Sequence, residues 1–302
     1  MDSLILFYKY IPLDDPNAMM QWQRKLCTQL HLTGRIILAY EGINATLAGA
    51  PDHIETYKQQ MAQHPLFDAI DFKEAYTPQG CFPRLQIKVK PEIVNLGIDP
   101  TRLSAHDGGI HLSPKEAHSL MQQEKKSLVI LDARNNFESR IGKFNGAITP
   151  DINHFRELPA FIDQNKDLFE DKEVIMYCTG GIRCERASAY VKQTTKARAV
   201  YQITGGICHY VAEFPHGFFK GKNYVFDGRV STTISNDVLT QCDLCSFSCD
   251  EYTHCLRASC NKQYIACIPC LSRLKNTCSV RCHEAVYTDN EPQRRAFIKK
   301  TL

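Results

Sequence analysis

Nine of the chain's 14 cysteines lie between Cys242 and Cys282. They pair by spacing: Cys242 with Cys245, Cys255 with Cys260, Cys267 with Cys270 and Cys278 with Cys282, leaving Cys249 over. The segment holds few large apolar residues, so a hydrophobic core alone cannot fold it and it needs a staple. Two Cys-x2-Cys pairs about twenty residues apart have the spacing of metal ligands. Four pairs suffice for two tetrahedral thiolate sites. Interleaving joins the first pair to the third and the second to the fourth, as in cross-brace zinc modules. The expected occupant is structural zinc. His283 is a candidate substitute ligand, and unmetallated thiols, disulfides or an iron–sulfur cluster are the alternatives. Clustered cysteines of this kind read as metal or redox groups in a reducing compartment.

The rest of the composition is that of an ordinary soluble protein. An apolar fraction of 43% excludes a disordered, collagen-like or coiled-coil chain. No apolar run approaches the roughly 18 residues of a membrane helix. The opening run Met1 to Tyr10 is too short for a signal peptide and lacks its basic flank. The expectation is therefore a cytoplasmic protein without membrane attachment. Of the formal charge of +3, a surplus falls on the tail from Phe218 onward, with 12 Lys/Arg against 8 Asp/Glu. A weakly basic tail is compatible with nucleic-acid contact. In it Arg257, Lys262, Arg273, Lys275 and Arg281 interleave with the cysteines, and Tyr252 and Tyr264 are candidate base-stacking residues.

The length of 302 residues fits two or three domains. Residues 1–95 alternate strand and helix signals in the order β-α-β-β-α-β, with Pro16 and Pro51 at helix starts. This predicts a ferredoxin-like α+β domain without a recognisable catalytic motif. Residues 96–112, with Gly97, Pro100, Gly108 and Gly109, have linker chemistry. Ser113-Pro114-Lys115-Glu116 predicts a capping box. Residues 113–217 then hold three apolar strands, Leu128–Leu131, Glu173–Tyr177 and Val200–Ile203, of the unbroken kind expected in a parallel sheet covered on both faces. Residues 218–302 form the cysteine-rich, weakly basic C-terminal segment. The expected fold class is thus α/β and α+β.

The second apolar strand ends in Cys178-Thr179-Gly180-Gly181-Ile182-Arg183, and a helix begins at once. A tight loop at a strand–helix junction aims backbone N–H groups at one point, a nest for an anion. The helix adds its positive dipole end, and Arg183 can add a full charge. A cysteine at the base of such a loop ionises readily, and the thiolate is the nucleophile. Cys178 is therefore the candidate catalytic residue, and Thr179, Gly180, Gly181, Ile182 and Arg183 are the candidate anion loop. Cys184 is a candidate partner thiol, able to resolve a persulfide or sulfenic acid, or else a small residue at a helix start. Asp132 and Arg134, at the end of the first apolar strand, read as structural, with a role at the pocket rim open. Cys27, Cys81, Cys208 and His209 read as packing residues.

In the tyrosine phosphatases the arginine sits six residues after the cysteine; here it sits five after. The shorter loop resembles the rhodanese family. Leu131-Asp132-Ala133-Arg134 and Tyr201-Gln202-Ile203-Thr204-Gly205-Gly206-Ile207 resemble further rhodanese stretches, over about residues 113 to 216. Arg140 to Ile148 departs from the common rhodanese form. Taken together, Glu41-Gly42-Ile43-Asn44-Ala45-Thr46, the loop and its continuation Cys178-Thr179-Gly180-Gly181-Ile182-Arg183-Cys184-Glu185-Arg186, Val225-Phe226-Asp227-Gly228-Arg229-Val230 and the cysteine-rich tail make the whole chain resemble one rhodanese subfamily, the bacterial oxygen-dependent tRNA uridine hydroxylases. That resemblance implies oxidation of a tRNA wobble uridine to 5-hydroxyuridine, with molecular oxygen as co-substrate, the anticodon loop as partner and Cys178 as the essential cysteine. No nucleotide, flavin or haem fingerprint accompanies it. Bare loop chemistry also suits a sulfurtransferase that carries sulfane sulfur on Cys178. A binding module with a retired rhodanese fold is a third reading, which the intact cysteine and arginine oppose. The sequence leaves the oligomeric state open.

Overall fold

The computed structural model describes residues 1–226 and 229–294. Asp227, Gly228 and the basic run from Arg295 lie outside the described residues. The first unit runs β1 (Asp2–Tyr10), α1 (Pro16–Gln29), β2 (Thr33–Ala39), β3 (Gly42–Gly49), α2 (Pro51–Gln63), β4 (Lys73–Thr77) and β5 (Leu85–Val89). Asp15 starts α1 by accepting from the Asn17 and Ala18 N–H groups, with Pro16 at the first position, where its missing donor costs nothing. The strand order β4-β1-β3-β2-β5 contains the ferredoxin-like order, extended by β5 running parallel to β2. The consecutive strands β4 and β5 occupy opposite edges rather than pairing. Ile5, Phe7, Ile36, Leu38, Leu47, Ile54 and Tyr57 meet in the core between sheet and helices. Each such buried side chain contributes roughly 1.5–3 kcal/mol of transfer free energy.

The second unit is a parallel sheet. Its elements are β6 (Ile110–Leu112), α3 (Pro114–Gln122), β7 (Leu128–Asp132), α4 (Asn136–Ser139), β8 (Gly142–Phe144), α5 (Leu158–Gln164), β9 (Glu173–Tyr177), α6 (Ile182–Thr194), β10 (Ala199–Ile203) and α7 (Gly206–Glu213). The Ser113–Glu116 capping box forms at the start of α3. The sheet order is β6-β10-β9-β7, and every pairing in it is parallel. Alternate β9 residues face opposite ways. Val174 and Met176 pack with Leu158, Ile162 and Ala187, whereas Ile175 and Tyr177 pack with Met121, Ile207 and Tyr210. Both faces are covered, which explains the unbroken apolar strands. The connecting stretch 96–112 docks on this unit: Leu96 and Leu103 enter its core, and β6 forms a sheet edge.

The tail leans on the second unit. β11 (Phe219–Tyr224) pairs with β8 and with β12 (Ser231–Thr233). A hairpin of β13 (Tyr252–His254) and β14 (Gln263–Ile265), then α8 (Ile268–Arg273) and α9 (Val280–Tyr287), completes it. Arg140 bridges to Asp243 at 2.7 Å, and the Tyr252 hydroxyl donates to the Phe137 carbonyl at 2.8 Å. The buried Lys222 ammonium pairs with Asp250 and Glu251.

Candidate functional site

Cys178 stands at the carboxyl end of β9, where ligands of parallel sheets bind. Its carbonyl accepts from the Ile207 N–H at 2.9 Å, and the Thr179 carbonyl accepts from Cys208 N–H at 3.1 Å. The turn after β10 therefore clamps the loop. Gly181 has φ +101°, a conformation few side chains tolerate, and this aims its N–H at the Cys178 sulfur, 3.2 Å away. Burial pushes the Cys178 thiol up. The Cys184 thiol, the Arg183 guanidinium and the Arg183 and Gly181 backbone N–H groups outweigh burial and bring it down to about 6. The resting species near neutral pH is a buried thiolate in a ring of donors. Burial and the thiolate beside it push Cys184 well above its ordinary value, so Cys184 stays protonated as a donor to Cys178.

Arg183 was expected to give its charge to the loop. The structure clasps it to Glu138, with Nη1 to Oε2 at 2.6 Å and Nη2 to Oε1 at 2.7 Å. Its charge reaches the thiolate as a field partly balanced by that carboxylate. Glu138 also accepts from the Asn135 N–H, closing a capping box over α4. The sequence signal for it was the Asn135-x-x-Glu138 spacing, which the loop-centred reading passed over. Asp132 and Arg134 form a fully buried ion pair at 2.7 Å. Tyr177 donates to Asp132, and Arg134 donates to the Gly142 carbonyl. This network joins β7, β8 and β9 behind the loop.

The N-terminal unit, which carried no catalytic motif, covers the loop. The Tyr8 hydroxyl donates to Glu185 Oε1 at 2.8 Å, and the Tyr10 hydroxyl donates to the Ile182 carbonyl at 3.3 Å. Arg186 of α6 is buried between Glu41 and Glu92, to which it is paired. Tyr8 and Glu185 belong to the site without any catalytic motif that marks them, and Glu138 was marked only by its capping-box spacing.

In the tail the structure brings together Cys242, Cys245, Cys267 and Cys270, and separately Cys255, Cys260, Cys278 and Cys282. This is the interleaved arrangement expected from spacing. No disulfide joins the tail cysteines. Sulfurs lie 3.6 Å apart between Cys245 and Cys267, 3.7 Å between Cys260 and Cys278, and 3.8 Å between Cys278 and Cys282. A tetrahedron of roughly 2.3 Å zinc–sulfur bonds has edges of about 3.8 Å, so the donor set fits zinc. Burial pushes Cys242 up, but the Cys267, Leu244 and Cys245 N–H groups outweigh it and hold the thiol at about 6. Arg273 donates to the Cys270 sulfur at 3.8 Å. Cys249 and His283 stay outside both sets, and the His283 ring lies tilted against Tyr287, with centroids 4.8 Å apart. Tyr252 and Tyr264, expected to stack bases, are 5% and 1% exposed. They are core residues of the module and present no face to RNA.

Comparison with known proteins adds to this geometry. Residues 3–93 match the UPF0176 acylphosphatase like domain, residues 113–213 the rhodanese-like domain and residues 220–283 the rhodanase C-terminal family. The chain is 38% identical to a protein of Onion yellows phytoplasma named tRNA uridine(34) hydroxylase, over 98% of this chain and 95% of that one. It is 38% identical to a protein of the same name from Corynebacterium jeikeium, over 88% and 89%. A third of that name, from Arthrobacter sp., is 36% identical over 94% and 98%.

Proposed function

The chain belongs to the tRNA uridine(34) hydroxylase family, and from that premise we propose that it converts the wobble uridine of tRNA to 5-hydroxyuridine with Cys178 as its reactive group. The observation that carries the reading is the end-to-end likeness at 38% identity, with all three units matched. The site chemistry supports it. A buried thiolate with the Gly181 N–H at 3.2 Å can hold an anionic sulfur species beside C5 of a base turned out of the anticodon loop. Molecular oxygen is the co-substrate in this reading. The eight tail cysteines hold two structural zinc ions, which supply folding energy and no chemistry at Cys178. Such a reaction belongs in the cytoplasm, where tRNA is, and no described helix is long and apolar enough to cross a membrane.

The test is nucleoside analysis of tRNA from a deletion strain complemented with wild type or Cys178→Ser. Wild type should restore 5-hydroxyuridine derivatives and the variant should not. Derivatives that persist without the gene, with no other hydroxylation route operating, overturn the reading. Full restoration by Cys178→Ser overturns the role of Cys178.

One observation favours a second reading. The thiolate in its nest of donors equally suits a persulfide, so a sulfurtransferase is the alternative. Cyanide–thiosulfate turnover that disappears in Cys178→Ser would support it.

A further inference from the structure

A cavity of about 430 Å³ opens at the seam between the first two units. Tyr8, Lys9, Tyr10 and Lys73 of the N-terminal unit form one wall, and His106 and Glu185 belong to the other. Neither unit makes it alone. It lies at the carboxyl end of β10, bounded by Ile203, Thr204 and Gly205, which is the ligand-binding end of a parallel sheet. Its volume is in the range of small-molecule sites, roughly 300–1,000 Å³.

The wall chemistry selects among ligands. Lys9 is paired with Asp68 and Lys73 with Asp71, both at 2.7 Å, and Glu185 adds a further carboxylate. Such a wall is close to neutral. A small dianion such as thiosulfate would fill little of the space and meet carboxylates. A flat, uncharged ring with donors and acceptors at its edge suits the two tyrosines and the imidazole better, because aromatic faces stack on any base.

Tyr8 links this cavity to the thiol. Its hydroxyl is fixed by donation to Glu185, which also receives His111 and Gln202. A phenol donating its one proton keeps its oxygen available as an acceptor. The same hydroxyl lies against Gly181, where a Cβ would come within 2.7 Å of it. Gly181 in turn donates to the Cys178 sulfur. The Tyr8 side chain thus lines the cavity and touches the loop.

We propose that the seam cavity is the subsite for the target uridine and that Tyr8 of the N-terminal unit is a positioning residue that sets the base against the Cys178 loop. This rests on the tRNA uridine reading above. The test complements the deletion strain with full-length wild type, Tyr8→Phe and His106→Ala, with nucleoside analysis of tRNA. Purified variants are followed by thermal melting and by thiolate absorbance of Cys178. Tyr8→Phe should lower 5-hydroxyuridine at least tenfold while melting and thiolate titration stay unmoved, a separation that a merely structural role would not give. His106→Ala, on the opposite wall, should lower it threefold or more. Wild-type modification by a folded Tyr8→Phe overturns the proposal. Should Tyr8→Phe fail to fold, full modification by His106→Ala overturns it instead. Absence of 5-hydroxyuridine even with wild type would sink the tRNA reading and not the seam alone.

Discussion

Arg183 and Glu138 face each other in a two-bond clasp of 2.6 and 2.7 Å, and the glutamate is fully buried. The pair ties the first turn of α6 to α4, and so fixes the loop that carries Cys178. A buried pair is sensitive to loss of one member, because the remaining charge is left without compensation. Glu138→Gln should therefore destabilise the protein by about 3–5 kcal/mol, read as a lowered midpoint in urea. It should also release the guanidinium field onto the thiolate. The Cys178 thiol, already brought down to about 6, would then titrate lower than in the wild type. An unchanged midpoint for both measurements would mean that the clasp is not what holds the loop.

The turn after β10 is the other support. Gly206 has φ +61°, and a Cβ there would press into the Cys178 carbonyl oxygen and lie 2.9 Å from both the Gly181 nitrogen and the Thr179 oxygen. Gly206→Ala must shift backbone on one side or the other. It should break the Gly181 N–H contact to sulfur, raise the Cys178 midpoint and cost activity. Gly146→Ala is the control: φ is +73° but no atom lies within 4 Å of its Cβ position. It should cost about 1–2 kcal/mol of left-handed strain and leave Cys178 unmoved. Equal effects of the two substitutions on the thiol would refute the clamp.

The interleaved sulfur sets predict two zinc ions per chain. Metal analysis of purified protein should give two equivalents. Cys242→Ser and Cys282→Ser should each lose one, from different sites. Because the first site's ligands flank Cys255 and Cys260 and the second site's ligands flank Cys267 and Cys270, loss of either should lower the melting temperature of the whole tail. Chelation should expose thiols to Ellman's reagent in the same proportion. Zinc below one equivalent in the wild type would contradict the sulfur geometry.

What could be read in the sequence follows from how local the signal is. The Cys178 loop, the Ser113 capping box and the paired tail cysteines are contiguous patterns, and each forms as spacing requires. Tyr8 and Glu185 lie 177 positions apart, and no short-range pattern joins them. Their meeting depends on how one sheet docks on another unit's helix. Tyr252 and Tyr264 misled for a related reason. Basic neighbours suggested a wet surface, but a module with so little apolar material buries its tyrosines to gain a core. Arg183 was legible as a charge acting on the thiolate; its clasp with Glu138 was not, since that partner comes from a separate helix.

Cys184 offers two readings that pH can separate. If it serves as hydrogen-bond donor, its proton holds the Cys178 thiolate; if it resolves a sulfur adduct, its nucleophilicity matters and the resting thiolate does not depend on it. Burial and the adjacent thiolate hold Cys184 well above its ordinary value, which keeps its proton in place and favours the donor role. Cys178 falls from an ordinary value of 9.0 to about 6. A folded value below the unfolded one gives stability that is fully present above about pH 9 and is lost as pH falls through about 6. The stability difference between wild type and Cys178→Ser should follow that window. Cys184→Ala removes the donor and should raise the Cys178 midpoint, measured by thiolate absorbance against Cys178→Ser. Cys184→Ser keeps an O–H donor and should hold the midpoint near the wild-type value. A donor role predicts that the serine variant retains tRNA hydroxylation and the alanine variant loses part of it. Equal, complete loss in both, with the Cys178 midpoint unmoved, would instead identify Cys184 as the resolving thiol.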